Sequence, residues 1–168
     1  FWSETFDRSL ENVFAVQDEI SLLIAERLRE QLGHFEIEEH LVEDPQIPHE
    51  MYLKYLKSRY FLLQMSKTGL KMGLDILTNV VELYPDYAMA HLGINMAYTL
   101  YGTMGYMPAS EAFLKGKPHL DKAIALDKSL PECQLHLAWS AFLQEFNLAK
   151  TYHHLDQVIA ARPIVDYY

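Results

Sequence analysis

Three helix-ending segments recur along this chain, and that recurrence constrains the fold more than any other feature. They are "LTNVVELYP" from Leu77, "LDKAIALDK" from Leu120 and "LDQVIAARP" from Leu155. Leu77, Leu120 and Leu155 correspond, as do Val80, Ala123 and Val158, and Val81, Ile124 and Ile159. Four residues before each leucine stands a small residue, Gly73, Gly116 or Thr151, which lets a neighbouring helix come close. Pro85 and Pro163 close the first and third copies, because proline has no N–H to give and clashes with the preceding turn. The middle copy ends on Lys128, with Pro131 three residues later. The terminators are 43 and then 35 residues apart. A helix–turn–helix repeat of about 34 residues fits the second interval. The first is too long, and an insertion in the loop around "YGTMGYMP" is expected to take up the difference.

The spacing predicts an all-α fold in which helical hairpins stack because none can bury its apolar face alone. Residues 49–85, 86–128 and 129–163 form three hairpins, and the start of a further unit follows. Before them, Val13, Val16, Ile20, Leu23, Ile24, Leu28 and Leu32 recur at helical spacing, predicting one long amphipathic helix within 9–33. Asn12 is the expected N-cap and Gly33 the expected stop. Residues 34–48, with acids and two prolines, read as a linker, and "FWSETF" within 1–8 as a strand remnant of an upstream α/β domain. A helix bend is expected at Pro118. A chain that opens on Phe is expected to be part of something longer.

Charge and chemistry exclude several functions. The net charge is −9, but residues 1–50 hold 13 acids and 3 bases while the rest is nearly neutral. Neither part has the clustered Lys and Arg that phosphate backbones need, so direct nucleic-acid binding is not expected. No apolar run is long enough for a membrane span. The single Cys133 rules out an intrachain disulfide and points to a reducing, cytoplasmic setting. Among eight histidines, no His-Glu-x-x-His occurs, and the neighbours His153 and His154 diverge on a helix. No phosphate loop or Gly-x-Ser-x-Gly elbow is present. No enzyme activity, cofactor or metal is therefore expected.

The repeats resemble tetratricopeptide repeats. The opening "FWSETFDRSLENVFAVQDEI" is similar to a segment that precedes such repeats in multidomain bacterial proteins, and "YLKSRYFLL" and "LYPDYAMAHLGINMAY" look like the first repeats of that family. Proteins of this kind carry, elsewhere in the chain, a class III adenylate cyclase, protein kinase or DNA-binding domain. None of those catalytic signatures is in this chain, and Lys128 departs from the usual proline.

The resemblance implies that the first helix of each hairpin lines a concave face that holds a protein or peptide partner, or another domain of the same chain. Its register puts Met89, Leu92 and Met96 there from the second hairpin and Leu135, Trp139 and Phe142 from the third. Tyr52, Tyr55 and Arg59 are the candidates from the first. Trp, Tyr and Arg dominate interface energetics. The Lys/Asn arrangement by which some such domains clamp a carboxylate terminus is missing. The alternative is a small-ligand sensor with its pocket around Trp139 and "YGTMGYMP". The apolar ends of the array also lead to an expectation of self-association.

Overall fold

The computed structural model describes residues 13–32, 47–128 and 130–161. All regular structure among them is helical. The chain divides into two units, residues 1–49 and 50–168. The first contains α1 (Val13–Leu32), a 20-residue helix in which Val16, Ile20 and Leu23 are half-buried while Ile24 is exposed. The expected strand, Asn12, Gly33 and most of the linker lie outside the described residues.

The second unit is made of α2 (His49–Leu63), α3 (Lys67–Leu83), α4 (Ala88–Thr103), α5 (Ala109–Leu126), α6 (Pro131–Leu143) and α7 (Leu148–Ala161). They pair as α2–α3, α4–α5 and α6–α7. Local chemistry sets their ends. The Ser66 hydroxyl accepts from the Gly69 amide at 3.0 Å and caps α3, and the Asn147 side chain accepts from the Lys150 amide at 3.0 Å at the start of α7. Pro131 opens α6 at a position where its missing N–H costs nothing. At Tyr84, just before Pro85, α3 stops. Pro118 lies inside α5, and the helix runs on through it. The carbonyl left without a partner belongs to Leu114, on the exposed side where water can serve it.

Each hairpin turn contains one residue in the left-handed region: Met65 (φ 50°), Gly105 (φ 71°) and Phe146 (φ 51°). Around Gly105 the Tyr106 amide donates to the Tyr101 carbonyl and the Gly105 amide to the Gly102 carbonyl, the pattern that ends helices on a left-handed glycine.

Inside the hairpins the small residues carry close contact. A Cβ on Gly73 would stand 2.7 Å from a Leu62 methyl and 3.1 Å from the Ser58 carbonyl. One on Gly116 would stand 3.1 Å from the Asn95 amide nitrogen and 3.2 Å from Tyr98 Cβ. Burial follows the same offsets. Gly69, Gly73, Leu77 and Val80 are buried on α3, and Ala112, Gly116, Leu120 and Ala123 on α5. Thr151 and Val158 hold the corresponding places on α7. Ala88 and Leu92 of α4, Leu120 and Ala123 of α5 and Cys133 of α6 form one apolar cluster, with Met89, Ile124, Leu130 and Leu137 packed on it.

The long first interval has a different cause from the loop insertion expected. The α4–α5 loop, 104–108, is one residue longer than the α6–α7 loop, 144–147. The rest of the difference is helix: α4 has 16 residues against 13 in α6, and α5 has 18 against 14 in α7. The middle hairpin is thus about one turn longer on each arm. Gly102, Ala109 and Ala112 let the two added turns touch, since a Cβ on Gly102 would lie 3.0 Å from that of Ala112. Where α6 ends short of this overhang, Leu143 and Gln144 close a cavity of about 100 Å³ with Thr99, Thr103 and Phe113.

Candidate functional site

The residue just before α4 joins the α2 candidates. The Tyr52 and Tyr55 rings lie 6.2 Å apart on α2. Tyr87, which precedes α4, meets the Tyr55 ring edge-on at 5.5 Å. Arg59 is exposed, one turn along from Tyr55 on the same helix. The Glu132 carboxylate, in the first turn of α6, also acts on Tyr55. Burial pushes the Tyr55 phenol up to about 12, against the opposing pull of the Arg59 charge. Burial raises Tyr87 as well, and Tyr55 adds to it. Both phenols therefore stay protonated at any physiological pH, as neutral hydrogen-bonding groups beside one guanidinium. Such a surface can receive a segment carrying a carboxylate next to an apolar or aromatic side chain.

The other candidates are placed differently. Leu92 is 2% exposed inside the cluster, and half-buried Met89 packs against it. Met96 is half-buried. In the third hairpin Leu135 is half-buried, while Trp139 and Phe142 are 43% and 47% exposed. Tyr55 is itself 6% exposed and belongs to the packing beneath the site. The structure sets Tyr52, Tyr55 and Arg59 along one helix and adds Tyr87 against Tyr55, with the Glu132 charge acting from farther off, whereas Met89 and Leu92 serve the contact between hairpins.

Two polar links hold the first helices in place. His91 Nε2 lies 2.9 Å from the Pro85 carbonyl, which can only accept, so this nitrogen carries the proton. Its Nδ1, 3.0 Å from His119 Nδ1, is then the acceptor. The pair ties the turn after α3 to both arms of the middle hairpin. Burial, and then His91, hold His119 below the usual histidine range. In the second link, buried His136 of α6 donates from Nδ1 to the side-chain oxygen Oδ1 of Asn95 on α4 at 2.6 Å. Burial lowers His136 to about 4, so it is neutral at pH 7. Cys133 is pushed up to about 11, chiefly by burial, and its thiol faces the Asp127 carbonyl at 3.6 Å, a packing role rather than a reactive one. Among the described residues no three metal-ligating side chains converge, and no helix is long and apolar enough to cross a membrane.

Known proteins give one bearing. The chain is 34% identical over 95 residues to "Putative adenylate cyclase 3" of Rhizobium meliloti (strain 1021). The match covers 56% of this chain and 16% of that protein. The kinship is to one part of a signalling protein. No family model and no solved structure matches the chain.

Tyr87 and Glu132 escape a reading of the sequence because each begins a different hairpin, far along the chain from Tyr55. The available signals are a tyrosine placed at a helix start after Pro85-Asp86 and an acid directly after Pro131.

Proposed function

We propose that residues 49–161 are a tetratricopeptide-like array acting as a non-enzymatic, cytoplasmic interaction module inside a larger signalling protein. One observation supports the repeat reading: the small residue and the apolar one seven positions on are buried alike in α3 (Gly73, Val80), α5 (Gly116, Ala123) and α7 (Thr151, Val158), at the offsets at which their sequences align. In this reading α2, α4 and α6 line the concave side, and Tyr52 and Arg59 receive a segment of a partner or of another domain of the chain. The similarity to a protein named for adenylate cyclase supports a setting in which the partner domain is a cyclase-type effector. The rival reading, a small-ligand sensor, has less to stand on: the cavity near the middle turn holds about 100 Å³, against the roughly 300–1,000 Å³ of ordinary ligand pockets.

Site-directed photocrosslinking tests it. With p-benzoylphenylalanine replacing Tyr52 in the protein in its own cells, adducts should map to one polypeptide segment. Arg59→Glu should reduce them at least fivefold while leaving helicity and melting temperature unchanged. Adducts indifferent to Arg59→Glu, or marked thermal stabilisation by a single metabolite without peptide adducts, would overturn the reading.

A further inference from the structure

Burial fixes the register of the first hairpin, which the helix-ending segments do not reach. Met51, Tyr55 and Ser58 are buried on α2, and Ala88, Leu92 and Asn95, each 37 residues on, are buried on α4. A further 43 residues on, the same places on α6 are Pro131, Leu135 and Ala138, of which the first and last are buried and Leu135 half-buried. Beside these stripes one position stays open in each hairpin. Arg59 on α2 is exposed, Met96 on α4 is half-buried and Trp139 on α6 is 43% exposed. Arg59 and Met96 stand on hairpins with a further hairpin behind them, so this position stays open where the array continues. The three side chains make one row across α2, α4 and α6, cationic at one end, apolar in the middle and aromatic at the other. Among the described residues no carboxylate forms an ion pair with Arg59.

We infer that this row holds a polyproline-II segment of a partner protein, one with an acidic side chain, an aliphatic one about three residues away and an aromatic one about six residues away. The placement rests on the repeat reading proposed above, in which α2, α4 and α6 lie side by side. Helices packed in this way are about 8–10 Å apart, so the row offers three holds at that spacing. A polyproline-II chain turns once every three residues, and its side chains along one edge stand about 9 Å apart. A β-strand offers about 7 or 13 Å along one face, and an α-helix about 6 or 10.5 Å. The acidic group would pair with the planar fork of the Arg59 guanidinium, which suits a carboxylate. Met96, unbranched and adaptable, would take the aliphatic side chain. At the far end the Trp139 ring would stack on the aromatic one. Aromatic-lined grooves read polyproline-II segments well because such segments lose little entropy on binding.

Trp139 is also the reporter. The receptor is the full 168-residue chain with Trp2→Phe, so that all tryptophan emission comes from Trp139. The probes are two amidated peptides, acetyl-Glu-Pro-Pro-Leu-Pro-Pro-Phe and acetyl-Phe-Pro-Pro-Leu-Pro-Pro-Glu, because the row can be read in either chain sense. Their prolines exclude a helical ligand. At least one should give a saturable blue shift of Trp139. Arg59→Glu in the receptor should weaken it by about tenfold, and Lys in place of the peptide's Glu should restore binding to that variant. An extra proline between Glu and Leu should weaken binding by about fivefold or more, since it turns the acid off the shared edge. Failure of both peptides overturns the inference. Equal binding by the Arg59→Glu receptor or by the lengthened peptide overturns it too. A second copy, or a stretch of the chain itself, on the row would leave Trp139 blue-shifted before peptide is added, and Arg59→Glu alone would then shift it to the red; that result sinks the partner assignment. Photocrosslinks from Tyr52 keep the two proposals apart. Adducts to a segment without this spacing remove the polyproline-II ligand and leave the interaction module standing. Peptide binding with no polypeptide adduct in cells keeps the row and removes the module's role.

Discussion

Phe146 is the most exposed large apolar side chain recorded in the second unit, at 83%, and it sits at φ 51°, where a side chain crowds the following carbonyl. Met65 holds the corresponding turn of the first hairpin at φ 50°. A left-handed non-glycine residue costs roughly 1–2 kcal/mol, and glycine returns about 0.5–1 of that through its freer unfolded state. Phe146→Gly should therefore stabilise the fold by about 0.5–1 kcal/mol, read as a raised melting temperature. An unchanged or lowered melting temperature would show that the phenyl ring makes a contact that outweighs its backbone strain. Gly105 is the reverse case: its added Cβ meets open space, so Gly105→Ala should cost stability through φ alone. His136 makes the fold sensitive to acid. Its folded value near 4 lies below the unfolded 6.5, so above pH 6.5 it is neutral in both states and contributes no slope. Between pH 6.5 and 4 the unfolded chain takes up a proton that the folded chain refuses. Stability then falls with falling pH, by up to about 3 kcal/mol from this group. Urea midpoints at pH 7.5 and 5 should differ less in His136→Gln. His119 and His154 are lowered in the same direction, so some slope will remain. Identical slopes in variant and parent would remove His136 from the account.

Among whole elements, the α2–α3 pairing is the most sensitive to a single methyl group. A Cβ on Gly69 would lie 2.7 Å from the Phe61 carbonyl, a backbone atom that cannot swing aside. Gly69→Ala gains up to about 1 kcal/mol of helix propensity, yet overpacking of this kind costs about 1–3 kcal/mol. A net loss of stability in chemical denaturation is expected, and a gain would mean that α2 and α3 can separate freely. Gly116→Leu should lose about 1–3 kcal/mol against Asn95 and Tyr98. Much of this level was legible in the sequence, because proline terminators and small residues have one physical meaning wherever they fall. The lengths of α4 and α5 were not. "YGTMGYMP" holds two glycines and a proline and reads as loop, but Gly102 sits in a helix because close contact with Ala112 repays its poor propensity. The groove residues were half legible. Tyr52, Tyr55 and Arg59 share one helix and can be found together, whereas Leu92 looks alike on either side of a helix until α6 is known to lie across it.

At the scale of the second unit, each hairpin borrows stability from its neighbours. Among the described residues the middle hairpin is packed from both sides, by α3 and by α6, whereas α6–α7 packs against the middle hairpin alone. Local opening follows such differences. Hydrogen exchange should therefore be slowest in α4 and α5, with α7 faster by at least tenfold. Uniform protection along α3–α7 would mean that the unit opens as one cooperative block rather than as a row of coupled hairpins.

The added turns of α4 and α5 have a consequence for how this array could change over time. In a row of equal repeats any unit can be deleted or duplicated, because every face fits every other. Here the middle unit is cut to a different length, and Leu143 and Gln144 line the cavity beneath its overhang. Removing it would set two shorter units against each other with Asn95 gone and His136 buried without its acceptor. The three hairpins are therefore not equal parts: the middle one is longer, and His136 of the third depends on Asn95 of the middle one for its acceptor.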